Sequence, residues 1–188
     1  MKKELIIRVV FCLFLPMFLL MCSYYCTIHL ITLTPAQQET INFVESKNSL
    51  SLNYTASELS HLQDVQKVME IMNVVFYLSL IICASLIVYS YKNKPELQKM
   101  LLYGGISTTI FLALILLATF LNFDSAFTLF HQLFFPQGNW QFAADSLLIT
   151  TFPIEFFISI SRSIFLLTLG EGMIFILLGV FLIKKREK

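Results

Sequence analysis

Four stretches of this chain stay apolar for about 20 residues or longer, which is the length a helix needs to cross a bilayer. They are 9–33, interrupted only by Pro16, Ser23, Thr27, His29 and Thr32, then 71–89, 100–121 and 163–183. Inside hydrocarbon every backbone N–H and C=O must find a partner within the segment, so each run has to cross as a helix. The composition agrees: of 188 residues, 57% are hydrophobic and 13% charged, where a soluble domain carries about 25% charged residues. The polar segments between the runs are too short for a separate soluble catalytic domain, so any chemistry has to take place at or in the membrane. A net charge of +1 gives no reason to expect a nucleic-acid partner.

The first run is too long for the apolar part of a secretory signal and lacks a small-residue cleavage site. The triplet Leu20-Met21-Cys22 also lacks the small residue expected before a lipidated cysteine, so the segment reads as a retained span. Cys12, Cys22, Cys26 and Cys83 all lie in apolar runs, whereas a disulfide framework would place them in water-facing loops. They read as packing residues.

Lys and Arg are retained on the cytoplasmic side of short loops. Lys2, Lys3, Arg8, Lys92, Lys94, Lys99, Lys184, Lys185, Arg186 and Lys188 flank the spans on one side, ten of the thirteen cations. Lys47, Lys67 and Arg162 fall in the two longer connections. The expected architecture is an all-α integral membrane protein with four transmembrane helices, both termini cytoplasmic, and a small extracytoplasmic cap rich in aromatics. The whole of 1–188 forms one membrane domain, and the cap is made of segments 34–70 and 122–162.

In the first cap segment Leu59, Leu62, Val65, Val68 and Met69 recur at helical spacing, with Ser57 placed to cap the helix and His61 and Asp64 on one face. The second is stranger: Phe120, Phe123, Phe127, Phe130, Phe134, Phe135, Trp140 and Phe142 crowd into 23 residues. An apolar surface of that extent either lies on lipid headgroups or folds into a cap whose rings wall a pocket. An aromatic anchor explains the rings. It does not explain His131, Asn139, Asp124 and Asp145 within them, because a desolvated polar group without a partner costs free energy on the kcal scale. Asp124, Phe127, His131 and Phe135 follow helical intervals, and Pro136 and Gly138 then impose a turn. His29 reads as an interfacial side chain. Glu171, between Gly170 and Gly172 in the last span, reads as a neutral, hydrogen-bonded group joining helices.

With His61-Leu62-x-Asp64-Val65, then Phe130-His131-x-x-Phe134-Phe135-x-x-Gly138-Asn139-Trp140-x-Phe142, Asp145-x-Leu147-Leu148-Ile149 and Phe152-Pro153, the sequence resembles the bacterial lipoprotein intramolecular transacylase family over nearly its whole length. The resemblance implies movement of an acyl chain from the sn-2 oxygen of a diacylglyceryl lipoprotein to the α-amine of its amino-terminal cysteine, giving the lyso form. It also implies a catalytic pair, His61 and His131. Glu171 matches no motif of the family.

That chemistry suits the residues. Ester to amide runs downhill, so no cofactor or metal is expected, and no phosphate loop or H-E-x-x-H motif is present. An α-amine of pKa about 7.7–8.0 surrenders its proton readily to a neighbouring imidazole. One histidine is expected to take the amine proton and the other to protonate the departing sn-2 oxygen, with His61, oriented by Asp64, preferred as the base. Asn139 is the expected oxyanion donor. Phe127, Phe130, Phe134, Trp140 and Phe142 are expected to line the pocket, with Asp124 and Asp145 orienting. The expected partners are a diacylated lipoprotein and membrane lipid, with a monomer favoured. Two other functions fit the residues: a membrane lipid or lipopeptide hydrolase, which would release free fatty acid, and a non-catalytic membrane scaffold, in which the histidines would be dispensable.

Overall fold

The computed structural model describes residues 2–184. Lys185, Arg186 and Lys188, counted above toward the cytoplasmic side, lie outside the described residues, as does the side chain of Lys184. The described residues are all-helical: α1 (Lys2–Leu30), α2 (Pro35–Val44), α3 (Ala56–Ser90), α4 (Lys94–Leu121), α5 (Phe123–Phe134), α6 (Leu147–Thr151) and α7 (Ile154–Lys184). Four of these, α1, α3, α4 and α7, are long and apolar enough to cross a membrane.

The long helices start earlier than the apolar runs. No Gly or Pro interrupts residues 56–90, so the amphipathic stretch and the second span form one helix. At about 1.5 Å per residue its 35 residues exceed a hydrocarbon core of about 30 Å. Its charged residues, Glu58, Asp64, Lys67 and Glu70, all lie in the first 15 positions, ahead of the uncharged length that begins at Ile71. Thr55, not Ser57, closes its amino end: the Glu58 N–H donates to Thr55 Oγ1 (3.3 Å) and the Thr55 N–H to Glu58 Oε2 (2.8 Å). α4 starts at Lys94 because Pro95 is tolerated in a first turn, where its missing N–H has no helical partner to lose. α7 starts at Ile154, directly after Pro153.

Two compact units emerge. Among the described residues, one comprises 2–28, Val74–Leu117 and 163–184. Its core is Phe11, Leu15, Leu19, Cys83, Leu97, Met100 and Leu101, while Leu13, Ile81, Leu114 and Leu177 are exposed, as expected of side chains facing lipid. Burying apolar surface drives little association between helices in lipid, so close approach and polar contacts matter more. Gly105 supplies the first, because a Cβ there would lie 2.6 Å from the Gly172 carbonyl oxygen. Pro16 creates the second. Lacking an N–H, it leaves the Cys12 carbonyl without its helical donor, and the Ser107 hydroxyl of α4 lies 3.0 Å from that oxygen, sharing its hydrogen with the Gly104 carbonyl at 2.8 Å. Glu171 also sits in a polar contact: Ser23 donates to its Oε2 at 3.1 Å, and Thr168 donates to Ser23 at 2.8 Å.

The other unit comprises His29–Asn73 and Ala118–Arg162. It holds two helices that the sequence periodicity did not suggest, α2 and α6. Thr34 and Gln37 form a capping box at the start of α2, and Ser146 caps α6. α2 is fastened by Gln37 donating to the Thr151 carbonyl (2.9 Å) and by Gln66 donating to the Phe43 carbonyl (3.1 Å). Ile41, Val44, Leu62, Phe135, Leu148 and Phe152 are its buried apolar side chains.

Candidate active site

All the residues in this section belong to the second unit. His61 lies on α3 one turn after Glu58, which is only 1% exposed. Glu58 accepts the Leu148 N–H through Oε1 (2.8 Å) and the Thr55 N–H and hydroxyl through Oε2 (2.8 and 2.7 Å). It therefore ties the first turn of α3 to the first turn of α6. His131 lies in the last turn of α5, whose start is capped by Asn122 accepting the Ser125 N–H at 2.9 Å. Past α5 the chain turns at Gly138, whose φ of +79° is a left-handed conformation that a Cβ disfavours. That turn returns Asn139, Trp140 and then Phe142 to the histidines.

The two imidazoles are buried and lie side by side, with ring centroids 6.2 Å apart and planes 27° from parallel. Phe135 packs against both, 4.8 Å from His61 and 5.6 Å from His131. Phe142 stands 5.7 Å from His61; Phe127, Trp140 and Phe130 stand 4.0, 4.9 and 5.4 Å from His131. Phe134 contacts Phe130 at 4.7 Å and so backs that wall rather than facing a histidine.

Burial pushes His61 down to about 4, His131 beside it adds to the drop, and Asp64 and Asn139 oppose it more weakly. Burial also lowers His131, partly offset by its bond to the Phe127 carbonyl. Both rings are therefore neutral at pH 7. His131 Nδ1 lies 2.8 Å from the Phe127 carbonyl oxygen, which can only accept, so Nδ1 carries the hydrogen and Nε2 presents a lone pair.

The polar expectations need revision. Asp64 is not hydrogen-bonded to His61: Oδ1 accepts from Lys67 (2.9 Å), and Oδ2 accepts from Gln137 (2.7 Å) and Asn139 (2.8 Å). These partners, Lys67 first, hold its carboxyl below the usual range. Asn139 is poorly placed to donate to an oxyanion, because its Nδ2 already donates to Asp64 and to Ser60 Oγ (3.3 Å). Its open atom is the acceptor Oδ1, which is buried without a hydrogen-bond partner, as is His61 Nδ1. Asp124 and Asp145 are exposed and make no hydrogen bond or ion pair among the described residues. Sequence reasoning missed Phe135 as a wall for both rings, although it stands in the motif, and missed Glu58, Ser60 and Gln137. Only Glu58 left a trace in the sequence, the Thr-x-x-Glu spacing of a capping box. Among the described residues no group of three His, Cys, Asp or Glu side chains could hold a metal ion.

Residues 9–157 match the family model described as "Lipoprotein intramolecular transacylase Lit". The fold is similar to solved structures of the membrane integral lipoprotein intramolecular transacylase Lit from Bacillus cereus. One has a TM-score of 0.85 at 22% identity and covers 99% of this chain and 98% of that one. A variant of it with a histidine changed to alanine gives 0.82 at 22% identity over 99% and 96%. At this level of identity the likeness establishes the fold, that of a multi-pass membrane protein. An uncharacterized protein of Aquifex aeolicus (strain VF5) is 25% identical over 127 residues, 68% of this chain; the match spans 56% of that relative's length.

Proposed function

The chain belongs to the lipoprotein intramolecular transacylase family, an acyltransferase family, and from that premise we propose that it moves an acyl chain within a diacylated lipoprotein, from the sn-2 ester oxygen to the α-amine of the amino-terminal cysteine. The reaction is placed at the outer face of the bacterial cell membrane, with both termini cytoplasmic, on the strength of the charge distribution along the sequence. The observation that carries the proposal is the pair of buried imidazoles from two separate segments, 6.2 Å apart among aromatic rings.

His131 acts as the base. Its Nδ1–H is held by the Phe127 carbonyl, a bond that also supports the ring once Nε2 has taken a proton. His61 acts as the acid. Because burial resists its charge most strongly, its imidazolium gives up a proton readily. The substrate ammonium brings three protons on nitrogen. One passes to His61 and frees the lone pair, which attacks the ester carbonyl. His131 removes a second as the tetrahedral intermediate forms, and His61 returns its proton to the sn-2 oxygen as the C–O bond breaks. The amide keeps one hydrogen, the glyceryl hydroxyl gains one, and one is released through His131 to water. Amine and ester sit on one flexible molecule, so confinement between rings contributes mainly by aligning them; well-oriented intramolecular reactions reach effective molarities of about 10⁵–10⁸ M.

The test is a synthetic diacylated lipopeptide incubated with the purified protein and followed by tandem mass spectrometry. The expected result is conserved total mass with the acyl group relocated to nitrogen. His61→Ala and His131→Ala should each abolish this. Full activity in either variant refutes the two-histidine scheme, and release of free fatty acid refutes transfer in favour of hydrolysis.

A further inference from the structure

Two buried polar atoms in the second unit lack a hydrogen-bond partner, and they belong to neighbouring side chains of opposite capability: His61 Nδ1, which donates when it carries hydrogen, and Asn139 Oδ1, which only accepts. Leaving a buried polar atom unpaired is costly, so two that can satisfy each other are a connected feature rather than two separate defects. The Asn139 amide cannot simply turn over. Its Nδ2 donates to Asp64 Oδ2 at 2.8 Å and to Ser60 Oγ at 3.3 Å, and the carboxylate accepts only a donor. Asp64 is itself held by Gln137 (2.7 Å) and Lys67 (2.9 Å). The amide oxygen is thereby fixed on the side away from Asp64.

We propose that Asn139 is a positioning residue for His61: its Oδ1 accepts the Nδ1–H of that imidazole, while Asp64 and Ser60 lock the amide in the orientation that allows it. Asp64 then governs His61 through Asn139 rather than by direct contact. The bond selects the Nδ1–H tautomer and leaves Nε2 as the only site at which His61 exchanges protons. It also supplies an acceptor for the second N–H of the imidazolium, which a buried ring would otherwise hold unpaired. The same logic fits the opposition Asn139 offers to the burial-driven drop of His61. The charged or titratable groups around this ring are His131 on α5, Asp64 with Lys67 on α3, and Glu58 one turn earlier on α3. None of them is hydrogen-bonded to His61 Nδ1.

That His61 takes part in catalysis rests on the transacylase function proposed above; its tautomer can be measured independently. Protein labelled with ¹⁵N-histidine, in detergent micelles near pH 7.5, reports the tautomer of each ring, and a His29→Gln sample aids assignment. His61 should be the Nδ1–H form in the wild type. Asn139→Ala should shift it toward the Nε2–H form and lower kcat about 10²-fold, the scale of a small misplacement, with KM within about threefold. Asp64→Asn should move both readouts the same way by less. An Nε2–H form of His61 in the wild type overturns the proposal, as does an Asn139→Ala protein with unchanged tautomer and kcat. Should Asn139→Ala fail to fold, the wild-type tautomer and Asp64→Asn decide. The Nδ1–H form together with no conversion of diacylated lipopeptide would support the Asn139 bond and overturn the transacylase function.

Discussion

Replacing Glu58 by alanine should destabilise the protein by about 2–4 kcal/mol, although the residue touches neither imidazole. The side chain is 1% exposed and accepts three hydrogen bonds, from the Leu148 N–H, the Thr55 N–H and the Thr55 hydroxyl. Alanine strands the Leu148 N–H in a dry site, at about 1–3 kcal/mol, and removes one half of the capping box at Thr55, at about 1 kcal/mol. Glutamine keeps one acceptor but turns an NH₂ toward a donor, so Glu58→Gln should fall between the two. Burial pushes the Glu58 carboxyl up, but the N–H of Leu148 and the Thr55 and Leu147 contacts outweigh it, and the net shift is downward. A carboxyl lowered in the folded state stabilises above its unfolded pKa, and that stabilisation is lost as pH falls through the folded value. Thermal unfolding in detergent should show a drop of roughly 5–15 °C for Glu58→Ala at pH 7, given about 2–4 °C per kcal/mol at this chain length. The difference from wild type should shrink on acidification below pH 4. An unchanged melting temperature at pH 7, or a gap that widens toward low pH, would refute the reasoning.

Further outcomes follow from other contacts. Burial lowers both imidazoles from their ordinary value, His61 to about 4, so the proton that His61 delivers to the sn-2 oxygen has to come from the substrate ammonium. kcat/KM should therefore fall above the pKa of the substrate amine, near 7.7–8.0, as that proton is lost, and an alkaline limb that stays put when the amine pKa is changed by peptide sequence would contradict this. Ser107→Ala leaves the Cys12 carbonyl without a donor and should cost about 0.5–2 kcal/mol, measured by unfolding in mixed micelles. Gly105→Ala places a methyl 2.6 Å from the Gly172 carbonyl oxygen and should lower thermal stability more than Gly170→Ala, where a Cβ meets nothing within 4 Å. Gly138→Ala meets open space but must hold φ near +79°; a cost of about 1 kcal/mol with reduced activity is expected.

The spans were legible because they are apolar over 19 residues or more, with Glu171 the one residue of the Asp, Glu, Lys and Arg set inside them, and no tertiary contact changes that pattern. Their ends were not. Residues 56–70 and 154–162 carry enough polarity to be left out of an apolar run, yet nothing in them stops a helix, so α3 and α7 extend through them. His131 was legible as chemistry because an imidazole among phenylalanines has no cheap structural explanation, whereas His61, in an ordinary amphipathic stretch, was marked as its partner by the family resemblance alone. Their hydrogen-bond partners were not, since sequence spacing puts Asp64 beside His61 on a helix face but cannot reveal that Gln137 and Asn139, 73 and 75 residues away, claim its oxygens. For the same reason Asp124 and Asp145, polar residues in an apolar stretch, looked significant and turn out to be exposed.

The proline in the first helix has a consequence for assembly. By subtracting one amide hydrogen it makes a socket in α1 that a single serine of α4 fills, and sliding one rod past the other by a turn, about 5.4 Å, would empty it. Pro16 and Ser107 thus act as a notch and key that index the depth of two rods in a medium where oily surfaces alone would let them slip.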